Sequence, residues 1–213
     1  MVAAAFPQTD LRGLYVILDP DAAHGRSLID LLNAAAAGGA TLFQYRAKRV
    51  ALRDAYRQAQ ALRQAAADAG GRLIVNDRCD LALAVEADGV HLGQDDLPVE
   101  EARALLGKGK LIGLSTHTAA QVKRASTLDV DYLGFGPIFT PFSKRDHDPV
   151  VGLDGLRTIR ALTAKPIFAI GGIAVDSAGE VIRAGANGVA VISAIAQAPD
   201  VTGTARAFVA LFR

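Results

Sequence analysis

Gly38-Gly39-Ala40-Thr41-Leu42-Phe43-Gln44-Tyr45-Arg46-Ala47-Lys48 decides the fold, because it holds one complete unit of a pattern that repeats along the chain. Its glycines suit the left-handed cap that ends a helix. A short apolar, β-like run follows, and that run ends in polar groups able to do chemistry. A helical stretch near Ser27–Ala37 precedes the unit, and an Arg/Gln/Ala-rich one at about Leu52–Ala69 follows it. Outward from there the same alternation recurs. Strands are predicted at Leu14–Leu18, Thr41–Tyr45, Arg72–Val75, Gly89–Leu92, Leu111–Leu114, Tyr132–Phe135, Pro166–Ile170 and Gly188–Ile192. The remaining helices are predicted at Cys79–Glu86, Pro98–Leu106, Ala119–Thr127, Leu153–Leu162, Val175–Ala184 and from about Asp200. Similar returns stand before other strands, at Ala87-Asp88-Gly89 and Gly185-Ala186-Asn187-Gly188. Strictly alternating βα units imply a parallel sheet covered by helices. Eight of them close into a single (βα)8 TIM barrel with a parallel eight-stranded core, and 213 residues place it at the small end of that architecture. No linker, charge block or low-complexity stretch divides the chain, so residues 1–213 are expected to form one domain.

Composition bounds the function. Hydrophobic residues make up 51% of the chain, which suits a core enclosed on all sides. A net charge of +1 argues against a broad surface for nucleic acid or anionic membrane. The single cysteine, Cys79, excludes an internal disulfide, fits a reducing compartment and reads as a small packed residue at a helix start. The start, Met1-Val2-Ala3-Ala4-Ala5-Phe6-Pro7, lacks the basic region and long apolar stretch of a signal peptide. No uncharged apolar run approaches the roughly 20 residues of a membrane helix. A cytoplasmic location is expected, with small molecules as partners, no nucleic acid, no membrane, and a homo-oligomer left open.

In a parallel α/β fold the carboxyl ends of the strands all face one way, so the polar clusters that end the runs should converge. Gln44, Arg46 and Lys48 are spaced two apart and share one side of an extended chain. One neutral donor and two cations suit an anionic ligand, and arginine matches phosphate bidentately. A solvated basic strand end, continued by Arg49, is the equal alternative. Asp77 and Asp96 close two different strands. They suit salt bridges, or a magnesium ion held by carboxylates plus substrate phosphate. As alternatives, Asp77 suits a helix N-cap and Asp96 a turn before Pro98. The amide of Asn76 suits the edge of a flat heteroaromatic ring. The segment Gly136–Lys144 is too long for a mere connection and reads as a lid or binding loop, with Ser143 and Lys144 offering a hydroxyl and a cation. Gly171-Gly172 and Ile192-Ser193 follow strands seven and eight, where such barrels often build a phosphate site from backbone N–H groups. His117, beside Ser115, is a candidate proton carrier. His91 alternates inside a strand, can face either way, and reads first as structural. His24-Gly25-Arg26 could also reach the mouth.

Taken in order, Gln44-Tyr45-Arg46-Ala47-Lys48, Val75-Asn76-Asp77-Arg78, Gly89-Val90-His91-Leu92-Gly93-Gln94-Asp95-Asp96, Ile112-Gly113-Leu114-Ser115, Gly136-Pro137-Ile138-Phe139, Ala169-Ile170-Gly171-Gly172-Ile173 and Ile192-Ser193 form a specific set. On these segments the chain resembles the thiamine-phosphate synthase family along essentially its whole length. The resemblance implies a barrel transferase joining 4-amino-5-hydroxymethyl-2-methylpyrimidine diphosphate to a (carboxy)hydroxyethylthiazole phosphate, with pyrophosphate leaving by a magnesium-assisted dissociative path. It implies that Gln44, Tyr45, Arg46, Ala47, Lys48, Asn76, Ser115 and Lys144 bind the pyrimidine diphosphate and that Asp77 and Asp96 hold Mg2+. Arg46, Lys48, Ser115 and Lys144 are the implied catalytic groups. Pro141, Phe142, Ser143, Gly172, Ile192 and Ser193 are implied to receive the thiazole phosphate. The family's loop usually reads Thr-x-Thr-Lys, whereas here it is Pro141-Phe142-Ser143-Lys144, with Thr140 one place early. Two other readings stand beside this one: a thiazole tautomerase of the same superfamily, and a non-catalytic sensor of a phosphorylated ligand.

Overall fold

The structure is a computed structural model and describes residues 11–140 and 149–213. Eight parallel strands close into a barrel in sequence order: β1 (Gly13–Leu18), β2 (Leu42–Tyr45), β3 (Arg72–Asn76), β4 (Gly89–Leu92), β5 (Leu111–Thr116), β6 (Tyr132–Phe135), β7 (Ile167–Ile170) and β8 (Gly188–Val191). β8 pairs back onto β1, with Gly13 opposite Gly188 and Val16 opposite Val191. The helices between them are α1 (Leu28–Ala37), α2 (Leu52–Asp68), α3 (Cys79–Ala84), α4 (Val99–Leu106), α5 (Ala119–Thr127), α6 (Gly152–Arg160) and α7 (Val175–Arg183). The chain ends in α9 (Val201–Ala210), and a short α8 (Ser193–Ala196) comes before it. The expected barrel is therefore present, and α8 is the element the apolar pattern does not announce, because four residues span only about one helical turn.

Alternation along each strand sorts the core into two layers. Outward residues such as Val16, Phe43, Val75, Val90, Leu133 and Val189 pack under the helices. Inward residues form a smaller cluster of Leu11, Tyr15, Ile17, Leu42, Ile74, Leu111, Tyr132, Phe168 and Ala190. Within it the rings of Tyr15, Tyr132 and Phe168 meet edge-on, at centroid separations of 5.3 to 5.8 Å. Such pairs add about 0.5–1.5 kcal/mol each beyond the burial of their area.

The amino-terminal end of the barrel is tied by one recurring device. At β4, β6 and β8 the residue that stands one place before the strand lends its side chain to a backbone N–H near the start of the preceding strand. Asp88 accepts from Leu73 N at 2.8 Å, Asp131 from Ile112 N at 2.7 Å, and Asn187 from Ile167 N at 3.0 Å. Asp131 also takes Arg103 Nη2 at 2.8 Å, and Arg63 lies 3.5 Å from Asp88. Asp88 and Asn187 are the polar residues of the short returns seen in the sequence, and their work, like that of Asp131, is to satisfy strand backbone.

Candidate active site

The opposite end opens into a cavity of ≈ 840 Å³, lined by residues from all eight strand ends. Gln44, Arg46 and Lys48 do share one side. Gln44 is buried at the end of β2, and Arg46 and Lys48 continue its alternation upward. Tyr45 and Ala47 alternate with them. Alternation turns both outward, the Tyr45 hydroxyl donating to Gln58 Oε1 of α2 at 2.7 Å and Ala47 packing against the outer core.

Arg46 is held by Asp19, which sits just beyond β1 and is only 5% exposed. Asp19 in turn accepts from Asp21 N at 2.9 Å, so the acid that aims the arginine is itself fixed. The sequence pattern does not single out Asp19, because Asp19-Pro20-Asp21 reads as an ordinary turn. Gln94 is a second such residue. It lines the cavity, donates to Ser115 O at 2.6 Å and accepts from Arg124.

Asp77 and Asp96 come together at the mouth. Asp77 is not a helix cap, since α3 begins after Arg78 and has no side-chain cap bond. Instead Asp77 adopts φ 62, a left-handed backbone that costs a non-glycine residue roughly 1–2 kcal/mol. That turn carries its carboxylate into the cavity, where Lys48 Nζ lies 3.3 Å from Oδ2. Asp96 does close a turn, accepting from Gly93 N at 2.6 Å, and it also reaches Asp77. Burial, then the adjacent Asp96, raises the Asp77 carboxyl above the ordinary carboxylate range, against the pull of Lys48. Two crowded carboxylates with one ammonium beside them fit a second cation, which would relieve their repulsion. Among the described residues no group of three or more His, Cys, Asp or Glu could hold an ion alone. The donor set is thus two carboxylates plus whatever oxygens a substrate brings, which suits magnesium.

The other expected residues fall on the same cavity. Asn76 ends β3, Ser115 lies on β5, and His117 donates from Nδ1 to Gly136 O at 2.7 Å. His91 faces inward at 9% exposure, and burial lowers its pKa to about 4. Across the cavity stand Gly171, Gly172, Ile192 and Ser193. Gly172 has φ 63, and a Cβ there would lie 2.6 Å from Thr140 O and 2.8 Å from Phe139 Cβ, so only glycine makes this turn. Pro141, Phe142, Ser143 and Lys144 lie outside the described residues. His24 does not line the cavity, and its ring sits 3.4 Å from Gln197.

Residues 14–195 match the family model described as thiamine monophosphate synthase. The chain is 50% identical over 198 residues to the thiamine-phosphate synthase of Chloroflexus aurantiacus, covering 93% of this chain and 91% of that one. The chain belongs to the thiamine monophosphate synthase family. The synthase of Moorella thermoacetica is 48% identical over 200 residues and is covered to 94% on both sides. The solved thiamine phosphate pyrophosphorylase from Pyrococcus furiosus superposes with a TM-score of 0.85 at 36% identity, covering 96% of each chain. As a synthase of this family the protein is an enzyme of the transferase class. No helix among the described residues is long and apolar enough to cross a membrane.

Proposed function

We propose that this thiamine-phosphate synthase joins 4-amino-5-hydroxymethyl-2-methylpyrimidine diphosphate to (carboxy)hydroxyethylthiazole phosphate. Pyrophosphate leaves, with carbon dioxide in addition when the thiazole is carboxylated. One observation carries the reading: a single cavity is charged along β2 to β4 and is walled by Gly171-Gly172 after β7 and Ile192-Ser193 after β8. That division supports two anionic ligands held face to face, a diphosphate on the charged side and a monophosphate on the other.

No side chain needs to act as nucleophile, because the thiazole nitrogen attacks the pyrimidine methylene. The demand on the protein is the negative charge that builds on the departing diphosphate. Arg46, aimed by Asp19, and Lys48, anchored on Asp77, bring cations to that charge, as preorganised groups that need not reorient during reaction. Lys144 on the loop after β6 would add a third. Asp77 and Asp96 would hold magnesium, which would further neutralise the leaving diphosphate. Asn76 and Gln44 hold the aminopyrimidine in place, and Ser115 offers a hydroxyl beside it. Gly172, Ile192 and Ser193, with Pro141, Phe142 and Ser143 of the loop, take the thiazole phosphate, largely through backbone N–H groups. Pro141 brings no N–H to that site, so of these three loop residues Phe142 and Ser143 would supply the backbone N–H groups, and Ser143 a hydroxyl as well.

The purified protein, given both substrates and magnesium, should release pyrophosphate and thiamine phosphate in equal amounts, and chelation of the metal should stop both. Proton exchange on the thiazole phosphate alone, with no pyrophosphate released, would establish the tautomerase instead.

A further inference from the structure

At the floor of the cavity, five polar side chains from five strands form an unbroken line of hydrogen bonds through the inside of the barrel. Gln44 Nε2 of β2 donates to the Tyr15 hydroxyl of β1 at 2.8 Å, and that hydroxyl lies 2.9 Å from the Tyr132 hydroxyl of β6. The Tyr132 hydroxyl is 3.1 Å from His91 Nδ1 of β4, and His91 Nε2 is 2.9 Å from Ser115 Oγ of β5. Gln44, Tyr15, His91 and Ser115 line the floor of the cavity, whereas Tyr132 is fully buried beneath it. Register explains how the middle fits. His91, Gly113 and Tyr132 lie side by side on β4, β5 and β6 and all face inward. A Cβ on Gly113 would fall 2.2 Å from Tyr132 Cζ and 2.5 Å from His91 Nδ1, so the glycine reserves the space that the bond occupies.

We propose that this line is a positioning device, which fixes the Ser115 hydroxyl as a hydrogen-bond donor toward the diphosphate. The inference rests on the diphosphate reading of the cavity given above. Its logic is a count of protons. Tyr15 accepts from the Gln44 amide, so its own proton goes to Tyr132. Tyr132 then has its proton left for His91 Nδ1, which must be the bare nitrogen of a neutral ring. The ring proton therefore sits on Nε2 and goes to Ser115 Oγ. With its oxygen engaged as an acceptor, Ser115 turns its hydrogen into the cavity, where charge develops on the leaving group. Burial keeps both phenols protonated, holding their pKa values well above the ordinary range, and it keeps the imidazole neutral at working pH. An added proton on the ring would set Nδ1–H against the Tyr132 proton, which could then turn only to Tyr15, already supplied by Gln44. Tyr15, Tyr132 and His91 thus act through Ser115.

The ring state can be read without substrate, by NMR of histidine labelled with nitrogen-15, with the His91 signals identified by their loss in His91→Asn. The wild type should show the Nε2–H tautomer, and Tyr132→Phe should populate Nδ1–H. In kinetics, Tyr132→Phe should lower kcat about tenfold, the size of one lost hydrogen bond, with little change in KM for the pyrimidine diphosphate. Placed on a Ser115→Ala background, the same change should alter kcat by less than about twofold, because the two residues act as a unit. Tyr15→Phe, one link further back, should show the same non-additivity and serves if Tyr132→Phe fails to fold. An Nδ1–H tautomer in the wild type, or a kcat loss of equal size with and without the Ser115 hydroxyl, would overturn the proposal. Failure of the wild type to release pyrophosphate would overturn the diphosphate reading and leave the tautomer result standing.

Discussion

The two ends of the barrel use the same residue type in opposite ways. At the amino-terminal end Asp131 has a strand N–H and a guanidinium, and Asp88 has a strand N–H with Arg63 near it. At the mouth Asp77 and Asp96 lie against each other, with Lys48 as the ammonium beside Asp77. Aspartates at the first end complete the backbone's hydrogen bonding and so contribute to stability. Those at the second are held in a costly arrangement, on a left-handed backbone in the case of Asp77, and that cost marks a place prepared for a cationic visitor. Conservation of stability and preparation for a ligand are thus divided between the two faces.

The division can be broken from either side. Asp131→Ala should leave the Ile112 N–H without its side-chain acceptor and Arg103 with Asp129 as its remaining carboxylate partner, and should lower unfolding free energy by about 1–3 kcal/mol. Denaturant titration checks the loss, and kcat per folded molecule should stay unchanged. Asp77→Asn should do the reverse. Thiamine phosphate formation should fall about 10²–10³-fold, as when one stabiliser of transition-state charge is lost. Its Tm should hold or rise, since a repulsive carboxylate is gone, and a variant that melted early with normal kcat would erase the contrast. Asp19 sharpens the comparison because it is a mouth aspartate that already has its cation. Asp19→Asn should raise KM for the pyrimidine diphosphate by about tenfold, equivalent to about 1.4 kcal/mol, by loosening Arg46. Steady-state kinetics at fixed thiazole phosphate measure it.

Much of this was legible in the residues. The eight apolar runs and their glycine-capped returns are local signals, so the barrel and its strand order could be read from them. Gln44, Arg46 and Lys48 could be placed on one side from spacing alone. Tyr45 and Ala47 were drawn into the site by their membership of the same motif, although the alternation that gathers their neighbours sends their side chains into the helix layer. Asp19 stayed hidden because its partner, Arg46, is distant in sequence and a turn explains the aspartate equally well. His91 could not be assigned a face, since a four-residue strand of apolar neighbours gives no polar side to contrast with. Its meaning comes from Gly113 and Tyr132 on neighbouring strands, and only closure of the sheet sets those beside it.

That closure also frees the catalytic plan from the chain's own starting point. With β8 bonded to β1, the ring has no first strand. A circular permutant cut in a return such as Ala87-Asp88-Gly89 and rejoined through its old termini would keep every mouth group on the same wall. Where the polypeptide begins is a matter of genetics; what the cavity can do is settled by the neighbours each strand has around the circle.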